Sequence, residues 1–545
     1  MRLLGLTAAV ARRVGTAAAR PRLLAASAAA ATFAAAVSHC EASSTQSGAG
    51  AAAEPVFSAD EVATHNSLEL RVWVTFSGSV YDVTDFVRFH PGGKHIMSAA
   101  GGPLEPLWAH WQVHLNNPVL KHLQPYRIGK LAPRDHMAAI FNVSDPYDSD
   151  PERDARLRVL GERPFDCETA YESLASDFFT PQQLFYVRNH LPVPAWTNDC
   201  TAEEGYSLRV EVGDGGEGAA HVFSLRDLRE KLPQASLHAT LQCTGNRCNE
   251  LEPSAAGGIG QIGHARWQGV WLRDLINEAA KRAGVATEGL CGHLHAVGKD
   301  GYEVSIPLEK AVDPRGDALV AHSMNGEPLA RDHGAPARLV VPGFVGARSV
   351  KWLQGLAIRG HQSGSVWQLR YYRVFPPWVR SIDQIDYADD AAPPVYNFPV
   401  QSAIVSPRDG TGTVQRDADG HVVVRGYAVS GGGQRIVSVR VSADEGLSWS
   451  EASLQRRPQS GTPVEAPACD GAPDEAMVQC GREWGWVLWE ARVPVPAGQA
   501  EFVLCSKATD SSCNTQPEQA EHIYNLRGYM SNAWPRVRVR VQDAE

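Results

Sequence analysis

Residues 85 to 114 read DFVRFHPGGKHIMSAAGGPLEPLWAHWQVH. The His-Pro-Gly-Gly at its centre puts an imidazole, His90, at the end of a loop held by a rigid turn. Proline fixes its own φ, and glycine takes conformations other residues avoid. A second histidine some two dozen positions on can close over the opposite face of a flat ligand. His95 is too near for that, which leaves His110 and His114. Neutral imidazole suits iron, and two axial imidazoles leave no open position. A haem held in this way carries electrons rather than oxygen. Just upstream, LRVWVTFSGSVYDVTDFV (70–87) reads as strand interrupted by a Ser-Gly turn.

Together with the preceding YDVTDF and the closing YRIGKL, the stretch resembles the cytochrome b5 family. The resemblance implies a small α+β haem domain over 54–131. It implies haem b as the cofactor, with His90 and His114 as the axial iron ligands, because the family's spacing and the Val-His context favour His114 over His110.

The 545-residue chain is long enough for three to four domains in all. Hydrophobic content of 43% and charged content of 21% are ordinary for globular protein. A net charge of -10 argues against a nucleic-acid partner, since phosphate binding needs clustered positive charge, and it suits a basic protein partner. The ten cysteines form no CxxC pair, which excludes a zinc ribbon or a dense disulfide framework. Whether Cys469 and Cys480, or Cys505 and Cys513, pair is left open by the sequence.

Residues 1–53 read as a mitochondrial targeting sequence and linker. Arg2, Arg12, Arg13, Arg20 and Arg22 precede the first acidic residue, Glu41, in an alanine-rich background. The apolar run Leu23–Val37 is shorter than the ~20 residues that span a bilayer, so no stable membrane anchor is expected. A pause of that run at the inner membrane would place the protein in the intermembrane space. APRDHMAAIFNVSDPYDSDPERD (132–154) is polar and rich in Asp and Pro, and it reads as a flexible hinge in which few residues pack. The block 155–395 mixes helical periodicity at 269–284 with strands such as ARLVVPG, implying a mixed α+β domain. From 396 to 545 the pattern turns to short alternating strands, ending in RVRVRVQ, which implies an all-β immunoglobulin-like sandwich. The fold class is therefore multidomain α+β.

The central block lacks both a GxGxxG after a strand and a Walker A motif, so nucleotide chemistry finds no support. What it offers is FYVRNHLPVP (185–194), LQCTGNR (241–247), RDHGAPARLVVPGFVGARSVKWL (331–353) and RYYRVFPP (370–377), with NLRGYMSNAWPRV (525–537) beyond it. A thiolate needs positive charge or a metal to stand in for its proton. Arginines supply forked donors to an oxyanion or to a phosphate-bearing cofactor.

In this order the pieces resemble the sulfite oxidase family, from its molybdenum-cofactor domain to its C-terminal dimerisation domain. The resemblance implies oxidation of sulfite to sulfate at a Mo-molybdopterin centre, with electrons passing singly through the b5 haem to cytochrome c, in a homodimer of the intermembrane space. By the same resemblance Cys243 is the molybdenum ligand, while Arg188, Arg527 and Tyr372 line the sulfite pocket. His190, His333, Arg338, Arg348 and Lys351 surround the pyranopterin and its phosphate, with a structural role for Arg348 as the alternative. Arg527 comes from the sandwich segment, which puts the pocket near an interdomain seam.

Two departures stand out. Family members usually read CAGNRR, and Cys248 occupies the place of the second arginine. The segment that carries a pocket tryptophan is reduced to GGIGQIG (257–263). The expectation is weaker sulfite binding, with Arg at 248 restoring it. Two other readings remain: a nitrate-reductase-like molybdenum enzyme, and a haem electron carrier whose molybdenum domain is degenerate.

Overall fold

The computed structural model describes residues 54–542 apart from 91–95, 98, 106–107, 109–113, 115–116, 134–146, 195–204, 214–219, 254, 287–290, 382–383, 386–391, 409–412, 458–480 and 496–497. The targeting sequence, His95, His110, Cys469 and Cys480 lie outside the described residues. Among those described, no helix is long and apolar enough to cross a membrane.

The chain forms two units, the first made of Met1–Phe86 and Met97–Val143 and the second of Val87–Ile96 and Ser144–Glu545. The first is built on a five-stranded sheet ordered Val56–Phe57, Arg127–Leu131, Ser79–Asp82, Trp73–Phe76, Gly102–Pro103. The Ser77-Gly78 turn, with φ of 47° and 71°, joins the central hairpin; such left-handed dihedrals are what a two-residue hairpin turn requires. Val62, Val80 and Leu131 are its buried apolar centre, with Phe57 and Trp73 against them.

The second unit carries the strands that form the central site. One sheet runs Ala235–Gln242, Ile262–Trp271, Leu319–Met324, Glu327–Pro328, with Arg338–Val340 also paired to Leu319–Met324. A second runs Ala220–Ser224, Ser207–Glu211, Leu353–Arg359, His293–Gly298, Glu303–Pro307. The helix expected over 269–284 is Leu272–Ala283, because Val270 and Trp271 end the long strand before it. Its buried face is Leu272, Leu275, Ile276, Ala279 and Ala280, and Gly284 closes it at φ 67°.

The C-terminal strands form two facing sheets, as their period-2 pattern implies. One is Gln401–Ser406, His421–Val429, Val487–Pro494, Ser453–Gln455; the other is Thr413–Gln415, Arg536–Gln542, Glu501–Asp510, Ile436–Ser442, Ser450–Glu451. The sandwich has its own apolar core, around Val424, Val439, Val487 and Leu504. Ala403, Tyr427, Val429 and Trp486, however, belong to the core of the central block, so the two share buried surface.

The hinge expectation needs correction at its C-terminal end. Tyr147 is buried, and Arg153 pairs with Asp332 at 2.8 Å and with Asp150 at 2.8 Å while lying over the Phe165 ring. Opposite charges and an aromatic face give these polar residues packing partners that their composition does not reveal.

Candidate functional site

A cavity opens where several stretches of the second unit converge, and its wall includes Arg188, His190, Cys243, His333, Arg338, Lys351 and Tyr372. Seven of the nine residues expected around the molybdenum centre are thus brought together. Arg188 reaches it from the short strand Val187–Arg188, and Cys243 from the loop that follows Ala235–Gln242. His333 sits in a single turn, Arg331–His333, closed by Gly334 at φ 100°, where an added Cβ would meet Lys351 Cα at 3.0 Å.

The Cys243 loop is held by its backbone. Cys243 N–H donates to Gln261 O (2.9 Å), Asn246 N–H to Cys243 O (3.1 Å) and Cys248 N–H to Gly245 O (3.0 Å). Gly245 N–H points at Cys243 Sγ at 3.4 Å. Burial raises this thiol to about 11, and the nearby Asp166 adds to it, while Arg188 acts in the opposite direction.

The cavity wall also holds cations at a cost in desolvation. Arg338 is buried, and its guanidinium donates only to carbonyls, among them His333 O (3.1 Å) and Ser349 O (3.0 Å). Burial pulls its pKa down to about 10, and that of Lys351 to about 7. His333, whose Nε2 meets Gln182 O at 2.7 Å, is pulled down to about 4, again by burial. A buried guanidinium answered by carbonyls alone is a place for an anion. A cofactor with both a phosphate and a soft metal fits a cavity whose wall holds buried cations and one cysteine.

Two expected residues fall elsewhere. Arg348 is fully buried beside the cavity rather than in its wall, donating to Val395 O (2.8 Å), to Gln368 Oε1 and to Tyr372 O (3.4 Å). It braces the Tyr372 backbone, the structural alternative of the two readings. Arg527 lies outside the wall as well, stacked near Tyr371 and Phe375, with Nη2 on Arg370 O (3.2 Å) and a buried Nε that has no partner. The segment carrying it does touch the site. Met530 N–H donates to Thr244 O (3.0 Å), and the Tyr529 ring lies 6.1 Å from that of Tyr372.

Cys248 does not face the cavity. It is buried with its Sγ on Gly257 O (3.5 Å), and a Cβ on Gly528 would come 3.3 Å from its own Cβ. The side chain therefore fills the space between the 257–263 segment and the Arg527 segment. Cys505 and Cys513 are both free thiols.

Asp300, Tyr302 and Asp332 also line the cavity. Burial raises Asp300 to about 6, outweighing its hydrogen bonds and the nearby Lys351. Tyr302 stacks 4.7 Å from His190, whose Nε2 in turn meets the Tyr372 hydroxyl. None of the three stood out in the sequence.

In the first unit His114 is half-buried and its ring stacks on Trp108 at a centroid distance of 5.3 Å. His90, which falls in the Val87–Ile96 stretch of the second unit, is also half-buried and follows the Thr84–Phe86 turn.

Comparison with known proteins bears on these groups directly. Residues 58–132 match the cytochrome b5-like haem/steroid binding domain, 190–367 the oxidoreductase molybdopterin binding domain, and 392–542 the Mo-co oxidoreductase dimerisation domain. Over 497 residues the chain is 42% identical to the mitochondrial sulfite oxidase of Rattus norvegicus, covering 89% of this chain and 84% of that one. The chain belongs to the sulfite oxidase family. A nitrate reductase of Fusarium oxysporum is 30% identical over 79% of this chain but only 47% of its own length. The sulfane dehydrogenase SoxCD of Paracoccus pantotrophus shares the fold, at a TM-score of 0.53 and 24% identity over 74% of this chain and 99% of that one.

Membership of the sulfite oxidase family brings a molybdopterin-binding domain and a b5-type haem domain into one chain, the two cofactors the residues above call for.

Proposed function

We propose that the chain is a molybdenum-dependent oxidoreductase that oxidises sulfite to sulfate and hands the electrons on through its b5 haem. The observation that carries this reading is a cavity whose wall holds Cys243 together with Arg188, Tyr372, Arg338, His333 and Lys351. When bound, the molybdenum–pterin group supplies the oxo transfer and accepts the two electrons. Cys243 is the soft donor that would hold the metal, and the buried cations would hold the phosphate.

The chain's own residues bind and aim. Arg188 presents its guanidinium to the substrate oxygens. Burial works against its charge, and Asp166, Tyr372 and Cys243 more than offset this. The Tyr372 hydroxyl stays protonated because burial pushes its pKa well up, so it donates a hydrogen bond to an anion or passes one to His190. Arg527 contributes from the sandwich segment. Its unpartnered Nε sits one residue from Gly528, which packs on the Cys243–Cys248 loop. Arg348 acts on Tyr372 from behind. His90 and His114 would be the iron ligands.

The reading extends to a mitochondrial homodimer through the 396–545 sandwich, located in the intermembrane space, with cytochrome c as acceptor. The relatives' mitochondrial names and the dimerisation-domain match support the compartment and the assembly. The arginine-rich residues 1–53 support the intermembrane space, and the acidic net charge supports a basic acceptor. Domain limits of 54–131, 155–395 and 396–545 belong to the same reading.

Stopped-flow mixing of the oxidised protein with sulfite tests it. The expected result is reduction of the haem Soret band with one molybdenum and one haem per chain. Haem without molybdenum, and a Soret band unmoved by sulfite, would make the chain an electron carrier. Reoxidation of the reduced haem by nitrate would favour the nitrate-reductase reading.

A further inference from the structure

Arg188, the guanidinium nearest in role to the substrate, does not stand alone. Residues 158–162, 165–168 and 187–188 form a small antiparallel sheet in which Asp166 and Arg188 are directly opposed. The Asp166 carboxylate lies 3.4 Å from Arg188 Nε, and its other oxygen accepts Gln261 Nε2 at 2.8 Å. The same Gln261 accepts the Cys243 N–H on its backbone oxygen. The carboxylate is therefore fixed behind the substrate arginine by two partners, one of them tied to the metal-ligand loop.

The other cations of the cavity are met by neutral oxygens: Lys351 Nζ donates to Asp332 O (2.9 Å) and to Asn189 Oδ1, and Arg338 donates to carbonyls, while the Asp332 carboxylate is paired with Arg153. The position five residues after Cys243 holds a neutral thiol turned into the protein. Near Cys243 the wall thus presents one arginine whose charge is compensated.

We infer that Asp166 is a specificity-determining residue, and that it tunes the site to a monoanionic sulfur oxyanion, hydrogensulfite, over the sulfite dianion. The inference rests on the sulfur-oxyanion reading of this cavity. Its physical basis is Coulombic. A fixed negative charge behind Arg188 offsets part of the arginine's attraction, so a second substrate charge gains little there, and in a partly desolvated wall an offset of this kind changes affinity by about tenfold. The same offset speeds departure of the sulfate dianion once it forms.

The test measures binding to the intact holoenzyme of two unreactive anions of like shape and different charge, sulfate and methanesulfonate, with no turnover needed. The wild-type protein is expected to bind methanesulfonate at least as tightly as sulfate. In Asp166→Asn, sulfate binding should tighten by about tenfold, methanesulfonate should gain less, and the KM for sulfite should fall with kcat changed much less. A residue that merely positions Arg188 gives the opposite result, with both anions weakened together and KM raised. That outcome overturns the inference, as does a wild type that prefers sulfate by tenfold, which can be read without any variant. A protein that shows the expected anion preference but leaves sulfite unoxidised would sink the proposed activity and not the charge selectivity.

Discussion

Lys351 holds an ammonium where water cannot reach it well, and its pKa has fallen to about 7 because of that burial. The unfolded chain keeps the ordinary lysine value near 10.4, so between these two values the unfolded state binds the extra proton. Stability then rises with pH across that window, and the penalty is fullest below pH 7. In cofactor-free protein the melting temperature should rise from pH 7 to 9, and Lys351→Met should flatten the slope. Loading the cofactor should flatten it too, since a phosphate restores the charged form. Thermal melts across pH of the three samples check this. Cys248 makes a second prediction at the same scale. Hemmed by Gly257 and Gly528, it leaves no room for the guanidinium that the family pattern puts there. Cys248→Arg should cost about 1–3 kcal/mol through overpacking and shift the Arg527 segment, so restored sulfite affinity is not expected without a change at 528. Cys248→Ser should be nearly neutral, and denaturation with KM measurements separates the two. Cys243, His190, His333, Arg338 and Lys351 were legible because each sits in a motif with a resemblance behind it. Asp166, Asp300 and Tyr302 were not. An acid or tyrosine on a strand has no spacing that distinguishes a cavity wall from a surface, and only the fold brings Asp166 opposite Arg188.

The Cys243 loop is the element that joins the central block to the sandwich, and Arg247 makes the joint. Its side chain is fully buried, forks onto Glu250 with Nε at 2.8 Å and Nη2 at 2.5 Å, and donates to Ser402 O (2.9 Å) and Ala533 O (2.5 Å). Its backbone sits at φ 65°, a conformation a non-glycine residue holds only when its surroundings insist. One residue thus ties the metal-ligand loop to a sandwich strand and to the segment carrying Arg527. Arg247→Ala removes a fully buried guanidinium and leaves the buried Ser402 carbonyl without this donor, and should destabilise the second unit by about 1–3 kcal/mol. Arg247→Lys keeps the charge without the fork, so it should raise the KM for sulfite more than it lowers stability; melting curves and steady-state kinetics on both variants decide this. The sandwich itself was readable because strands such as Arg536–Gln542 alternate with period two. The joint was not, because a shared core between two blocks leaves no mark in either block's own pattern. The last part of the 132–154 segment was misjudged for the same reason: Arg153 finds Asp332 only across 179 positions of sequence.

At the scale of the whole molecule, the net charge of -10 bears on which acceptor can be used. An acidic protein draws a basic partner by long-range attraction, which raises the association rate and is screened within a Debye length of about 8 Å at physiological salt. Haem reoxidation by cytochrome c should therefore slow steeply as salt rises from 10 to ~300 mM, by roughly one to two orders of magnitude in the bimolecular rate. Reduction of the haem by sulfite is an intramolecular step after substrate binding and should respond far less. Double-mixing stopped flow separates the two phases in one sample: sulfite first, cytochrome c after the haem is reduced, with ferricyanide as an anionic control. For ferricyanide the attraction becomes repulsion, so its reaction should quicken with salt. A cytochrome c rate insensitive to salt would mean that acceptor choice does not depend on the protein's charge, and would remove the main physical support for a basic acceptor.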